Sequence, residues 1–274
     1  MSFKRNDVQE YIENKCGCTD ISKWNSYRQK LTELNLTTSD ISLLKQKSIV
    51  DSTSYWLKAL HSFTQAIKGI SMGYSAWSIV KLYYTTFYCL RSELLLNSIL
   101  LIRNGKLFIL NLSKETAFTP FTKSNIRGDH QLTIAYYYKL VSENEISDFL
   151  SSNSIDDDLP YIWLLKQRER VNYQMQFFPD PQIDPLLLKP FQYISNGELS
   201  KLFELVENSP NEIRYFDKDY SAIAIPYYKL KLISRYLKVH QIVNNSNIAE
   251  INHVKNFLKQ LNLTEDIISN LIFI

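Results

Sequence analysis

The sequence predicts an all-α fold: an antiparallel helical bundle with one small β-hairpin insertion and a helical C-terminal extension. Residues 74–96 contain no Gly or Pro and repeat apolar residues at helical spacing over about six turns. The 274-residue chain has only 6 Gly and 8 Pro, which disfavours a many-stranded sheet with its frequent turns. Asn104-Gly105 separates two apolar runs, the pattern of a tight hairpin turn.

The elements before residue 74 are predicted to be helices joined by short turns. They span residues 7–14, 21–35, 38–47 and 51–67. Asp20 and the pair Ser39-Asp40 are suited to cap two of them. Gly69 and Gly73 mark a turn into the helix at 74–96, so the two long helices should form an antiparallel pair.

The helix over residues 74–96 is apolar around most of its girth. Its periodic apolar residues are Ala76, Ile79, Val80, Tyr83, Phe87, Leu90 and Leu94, and this side is widened by Tyr84, Tyr88 and Leu95. A narrow polar stripe is left by Ser75, Ser78, Lys81, Thr85 and Ser92. Such a helix is expected at the centre of a bundle.

After this helix, the pattern predicts hairpin strands over residues 98–103 and 106–112, then an irregular loop to about residue 125. Helices follow over 129–141 and 145–151, and another runs from the acidic residues 156–158, favourable at a helix N-terminus, to about 177. Further helices are predicted over 197–208, 227–243, 248–261 and 264–272. We therefore expect an N-terminal helical segment (1–50), a helical core (51–190) that contains the hairpin at 98–112, and a helical C-terminal region (191–274).

Composition excludes several classes of function. A net charge of +3 is too small to indicate nucleic-acid binding without local clusters of Lys and Arg. Cys16-Gly17-Cys18 has no second ligand pair nearby, so we expect no metal and no cofactor. The sequence has no apolar run of transmembrane length, which predicts a cytoplasmic protein without membrane contact. Phosphate-binding glycine loops, serine-hydrolase elbows and zinc-peptidase pairs are also absent from it.

Three segments in order resemble the HEPN superfamily of α-helical bundles. Residues 74–87 are similar to its aromatic-rich helix, Ile126-Arg127-Gly128-Asp129-His130 to its loop histidine, and residues 164–173 to its arginine-bearing helix. The resemblance covers roughly residues 50–178, and residues 225–236 are weakly similar to YaaC-like proteins. It implies a HEPN-like bundle that works as a dimer or hetero-complex in a prokaryotic defence or toxin–antitoxin-like setting.

The sequence departs from the motif of the nucleases in that superfamily. Those members carry an Arg followed four to six residues later by a His, and they act without a metal, usually across a dimer interface. Here Tyr173 stands where that His would follow Arg168. Attack by a 2′-hydroxyl needs proton exchange near neutral pH, for which His is suited and an unperturbed Tyr, with a pKa near ~10, is not. An enzyme would therefore use Arg168 with His130 or Tyr173.

If the protein binds RNA, Arg127, Arg170 and Asn172 are expected to join these residues in a cluster that faces phosphate. The structural alternative pairs Arg168 with a carboxylate such as Asp129 and leaves Asn172 to satisfy nearby backbone.

A second basic segment holds Lys229, Lys231 and Arg235, interleaved with tyrosines. It could grip single-stranded nucleic acid, although a solvated helix face is the simpler interpretation.

The sequence thus leaves three functional hypotheses. The first is a non-catalytic component that binds RNA or a partner protein. The second is a metal-independent endoribonuclease. The third is an assembly subunit, in a homodimer or in a hetero-complex with a co-encoded protein, that binds no nucleic acid.

Overall fold

The computed structural model describes residues 5–124, 126, 128–240, 242 and 248–272. It is 69% helical and contains a small three-stranded antiparallel sheet, which confirms the mostly helical fold with a small hairpin. The chain divides into two compact units: unit 1 comprises Met1–Tyr55 and Arg91–Tyr137, and unit 2 comprises Trp56–Leu90 and Tyr138–Ile274. Residues on both sides of position 190 therefore belong to unit 2.

The helices and strands follow one another along the chain. They are α1 (Asp7–Lys15), α2 (Arg28–Glu33), α3 (Thr38–Ser71), α4 (Ser75–Leu96), β1 (Ile99–Asn104), β2 (Lys106–Asn111), β3 (Thr119–Phe121), α5 (Asp129–Ser142), α6 (Pro160–Glu169), α7 (Leu188–Ser195), α8 (Leu199–Glu207), α9 (Lys218–Val239), α10 (Ile248–Gln260) and α11 (Glu265–Leu271). A π-helix, Arg170–Gln174, continues α6, and the longest 3-10 helix, Ile21–Tyr27, precedes α2.

The helices predicted over 38–47 and 51–67 are a single helix, α3. Its middle contains no Gly or Pro, and hydroxyls such as Ser48, 2.7 Å from the Leu44 carbonyl, bond to the helix itself instead of ending it. In unit 1 the Ser92 hydroxyl of α4 donates to the Ser52 carbonyl of α3 at 2.9 Å. In unit 2 a Cβ on Gly69 would come within 2.4 Å of Ser78 Oγ, so glycine permits the close approach of the two helices.

The sheet packs its apolar side chains into the core of unit 1. Leu101 pairs with Ile109 across β1 and β2, and Leu107 pairs with Phe121 of β3. β3 lies where an irregular loop was predicted, because only three residues pair and Pro120 hides the strand pattern. The core includes Val8, Ile12, Trp24, Leu31, Leu36, Leu100, Ile102, Phe108 and Leu110.

Unit 2 has an aromatic core. Phe203 of α8 stacks on Tyr227 of α9 with ring centroids 4.1 Å apart, and the indole of Trp56 donates to Ser234 at 2.8 Å. α9 begins at Lys218, nine residues before its predicted start, and Pro226 lies inside it. Pro226 disfavours a helix locally, but burial of the surrounding residues keeps the helix continuous through it.

Two other boundaries were predicted wrongly. Residues 145–151 contain only the start of a short 3-10 turn, Phe149–Ser152, in place of a helix. The helix expected from residue 156 begins at Pro160, because Asp156 and Asp157 adopt positive φ angles of 47° and 67° in a turn. One of these acidic side chains forms an ion pair with the helix, since Asp158 lies 2.7 Å from Lys166.

The hairpin turn yields a stability prediction. Gly105 has φ +66°, and a Cβ there would lie 1.8 Å from Nη2 of Arg28. Gly105→Ala should therefore lower the free energy of unfolding by about 1 kcal/mol or more, measured from urea denaturation midpoints. Gly128→Ala is the control, because its Cβ would meet only Gln131 Oε1, at 3.9 Å. Equal midpoints for the two variants would contradict the account of the turn.

Candidate functional site

The part of α4 that belongs to unit 2 buries its small hydroxyls and exposes rings. Ser75, Ser78 and Thr85 of the predicted polar stripe are buried, and Ser78 and Thr85 donate to carbonyls one turn earlier, at 2.6 and 2.9 Å. Trp77 is 52% exposed. Helical spacing places Trp77, Lys81, Tyr84 and Tyr88 along one face, and the last three are half-buried. The hydroxyls of Ser78 and Thr85 are satisfied by their own helix, so burying them costs little.

α6 places Arg168 among tyrosine rings. Its guanidinium carbon lies 5.4 Å from the ring centroid of Tyr173, 5.9 Å from that of Tyr84 and 6.0 Å from that of Tyr83. These distances are those of cation–π contacts. Burial alone would lower the pKa of the Arg168 guanidinium, but its hydrogen bond with Tyr84 and the nearby phenol oxygens raise that pKa above its ordinary value. Arg168 is therefore a permanent cation that is held by neutral rings.

Arg168 has no carboxylate partner in the described part of unit 2, and its Nε has no hydrogen-bond partner there. Asp129, the partner in the structural alternative, belongs to unit 1, where its Oδ1 lies 4.0 Å from Nη1 of Arg103. A half-buried guanidinium with unused donors is suited to receive an anion with oxygen acceptors, such as a phosphate.

Arg170 has a different environment two residues later. It donates to both carboxylate oxygens of Asp184, at 3.0 and 2.9 Å, and to the amide oxygen of Gln167 at 3.0 Å. Asp184 is 1% exposed. The charge of Arg170, a residue predicted to contact nucleic acid, is therefore already paired with a buried carboxylate.

The segment after the π-helix is fastened to the start of α4. The Asp184 amide donates to the Ser75 hydroxyl at 3.0 Å. Asp180 accepts from the Ser75 amide at 2.7 Å, from the Ser75 hydroxyl at 2.9 Å and from the Ala76 amide at 3.2 Å. Asp180 therefore satisfies amides at the α4 N-terminus that have no partner within the helix.

This attachment holds exposed rings next to Arg168 and α4. Tyr173 is 72% exposed and Phe177 77%, and Phe178 packs edge-on against Trp77 with centroids 5.9 Å apart. We call the set Trp77, Tyr84, Arg168, Tyr173, Phe177 and Phe178 the aromatic–arginine surface. Exposed rings around a cation are typical of a binding surface.

The other predicted site residues lie on several elements of the chain. His130 lies half-buried in the first turn of α5 in unit 1, so it is not part of the surface described within unit 2. Arg127 lies outside the described residues. Asn172 is half-buried in the π-helix.

The three basic residues predicted on α9 have different environments. Lys229 is fully buried with Nζ 3.6 Å from Asp148 Oδ2, and Lys231 pairs with Glu207 at 2.5 Å. Burial works to raise the pKa of Glu207, but its hydrogen bonds with Lys231 and Tyr227 lower that pKa overall. Lys229 cannot reach a nucleic acid at the surface, the charge of Lys231 is compensated, and Arg235 remains exposed.

Comparisons with family models, with curated proteins and with solved structures found no match to this chain. In the part of the chain that the structure describes, no three His, Cys, Asp or Glu side chains are grouped so that they could hold a metal ion. No helix formed by the described residues is both long and apolar enough to span a bilayer.

Sequence reasoning missed Asp180, Asp184 and the exposed rings of Trp77, Phe177 and Phe178. The sequence predicted only that a helix ends near residue 177, although an Asp between two prolines, as in Pro179-Asp180-Pro181, is also a signal for a helix cap or a turn. The helix it caps begins 105 residues earlier in the chain, so no local pattern connects the two.

The cap yields a second stability prediction. Asp180→Ala should lower the free energy of unfolding by about 1–2 kcal/mol, because it leaves two backbone amides without an acceptor. Asp180→Asn keeps one acceptor oxygen, so its free energy of unfolding should fall by less. Both values come from urea denaturation. An Asp180→Ala variant as stable as the parent would show that the segment is held by other contacts.

Proposed function

We propose that the protein binds single-stranded RNA through the aromatic–arginine surface and acts as a non-catalytic component. The observation that carries the proposal is Arg168, which contacts three tyrosine rings and has no carboxylate partner in the described part of unit 2. Single strands are held by phosphate contacts to cations together with base stacking on aromatic rings. Both kinds of group are present within this surface.

The chemistry around Arg168 supports binding over cleavage. Within the described part of unit 2, its ring contacts are with Tyr83, Tyr84 and Tyr173. Cleavage by a 2′-hydroxyl needs a proton acceptor that works near neutral pH, for which histidine is the usual choice. The endoribonuclease hypothesis depends on His130 or Tyr173 supplying that step.

The HEPN resemblance supplies the biological part of the proposal. It suggests that the protein works in a prokaryotic defence or toxin–antitoxin-like system, as a homodimer or in a hetero-complex with a co-encoded protein. In such a system, a bound but uncleaved RNA would be a recognition element or a regulator of the partner. The assembly hypothesis keeps the partner and omits the RNA.

Binding is tested with Arg168→Ala and a matched control. Fluorescence anisotropy of a labelled single-stranded RNA should show about tenfold weaker binding, from the loss of a charge-assisted contact and its ring contacts. The slope of log affinity against log salt should fall by about 0.7, the value for one phosphate of a single strand.

Lys166→Ala is the control, because it removes the same charge from the same helix. Lys166 is exposed and already bonded to both oxygens of Asp158, at 2.7 Å each, so its loss should change RNA affinity little. Equal weakening by both variants would mean that only net charge matters. Absence of RNA binding by the parent protein, purified as a complex free of nucleic acid, would favour the assembly hypothesis.

Catalysis is tested by incubating labelled RNA pools with the protein in chelator. We expect no cleavage. Tyr173→Phe should bind RNA with the affinity of the parent, because the substitution keeps the aromatic ring at position 173. RNA cleavage that disappears in a folded Arg168→Ala variant would overturn the non-catalytic assignment in favour of a metal-independent endoribonuclease.

A further inference from the structure

The hairpin tip in unit 1 borders a cavity that the RNA proposal does not use. It has a volume of ≈ 310 Å³ and is lined by Arg103, Lys106, Leu107, Phe121, Thr122 and Leu132, among others. Pockets for small molecules start at about this size and combine apolar walls with a few polar groups. This one has apolar walls and a cationic rim.

Side-chain hydrogen bonds to backbone carbonyls hold the hairpin tip in place. The indole of Trp24 donates to the Arg103 carbonyl at 2.8 Å, and the Asn104 side-chain amide donates to the Trp24 carbonyl at 2.8 Å. Arg28 Nε donates to the Asn104 carbonyl at 3.1 Å. The rim is therefore preorganised by residues outside the strands, which lowers the entropic cost of binding a ligand.

The rim carries uncompensated positive charge. Arg28, Arg103 and Lys106 are all exposed at the tip. The carboxylate that pairs with Arg103 belongs to Asp129, and at 4.0 Å it lies beyond hydrogen-bond distance. Lys106 has no ion-pair partner among the residues that the structure describes. The tip therefore carries three positive charges and one loosely paired carboxylate, and this excess of positive charge favours an anionic ligand.

The cavity walls favour a flat apolar group. Leu107 is 1% exposed and Leu132 5%, so both are fixed parts of the core. Phe121 is half-buried and held edge-on by Tyr136 with ring centroids 5.1 Å apart. A planar ring that enters the cavity meets this aromatic side chain and two aliphatic ones.

We propose that this cavity binds a nucleoside monophosphate, with the base against Phe121 and Leu132 and the phosphate at Arg103 and Lys106. The same chemistry is offered by a free mononucleotide and by the 5′-phosphorylated end of an RNA chain. The site lies in unit 1, so it stands independently of RNA binding by the aromatic–arginine surface in unit 2.

Calorimetric titration of the full chain with AMP tests the site. AMP should bind, while adenosine and inorganic phosphate should each bind at least about tenfold more weakly, because each lacks half of the recognised ligand. Lys106→Ala should weaken AMP binding about tenfold, the loss of one charge-assisted hydrogen bond. Lys45→Ala, which removes an exposed lysine of unit 1 from α3, should leave it unchanged.

A second variant blocks the cavity without disturbing the core. Thr122 is exposed on the cavity wall, so Thr122→Trp should abolish AMP binding with an unchanged circular dichroism spectrum. Three outcomes would each overturn the proposal. The parent could fail to bind AMP, Lys106→Ala and Lys45→Ala could change AMP affinity equally, or inorganic phosphate could bind as tightly as AMP.

The source of the ligand is decided by a pair of oligonucleotides. The ligand is an RNA end if a short RNA with a 5′-phosphate binds more tightly than AMP. Its affinity should then fall to that of AMP or below in Lys106→Ala. If the RNA with a 5′-phosphate has the same affinity as the RNA with a 5′-hydroxyl, the ligand is the free mononucleotide.

Discussion

The candidate surface depends on the buried carboxylate of Asp184. Its side chain is 1% exposed and accepts two hydrogen bonds from Arg170, while its amide donates to Ser75. A carboxylate buried without Arg170 would be strongly destabilising. The Asp184 amide and the Asp180 carboxylate then fasten the segment after the π-helix to the start of α4. Tyr173 precedes this segment and Phe178 belongs to it, and both rings are exposed.

The π-helix is part of the same arrangement. It begins at Arg170, the residue that bonds to Asp184, and ends at Gln174, next to the exposed Tyr173. A wider turn at the end of α6 changes the direction of the following side chains, and such turns are frequent at functional sites. Arg168 lies before it and faces rings, whereas Arg170 lies within it and faces a carboxylate. Two arginines two residues apart therefore have different chemical roles.

Much of the fold could be predicted from local patterns. The long helix over 74–96 and the hairpin around Gly105 follow from apolar periodicity and from a glycine that tolerates positive φ. The merged helix α3 and the early start of α9 could not be predicted in this way. Ser and Thr have weak local preferences and Pro disfavours a helix strongly, and burial overrides both.

The site was harder to predict because charges find their partners through tertiary contacts. Local sequence suggested nucleic-acid contacts for Lys229 and Arg170, and only the folded chain shows that Asp148 and Asp184 lie beside them. The exposed face of α4 was missed for a related reason. Rings are usually assigned to the core and hydroxyls to the surface, and here the small hydroxyls are buried and the Trp77 ring is exposed.

Tryptophan fluorescence tests the central claim most directly. Of the 4 tryptophans, Trp77 is 52% exposed, while Trp24, Trp56 and Trp163 are buried. Stacking of RNA bases on the aromatic–arginine surface predicts that saturating single-stranded RNA quenches the emission, and that Trp77→Phe removes this response while Trp24→Phe keeps it. Unchanged emission at saturation, or quenching that survives in Trp77→Phe, would contradict the assignment of the RNA to this surface.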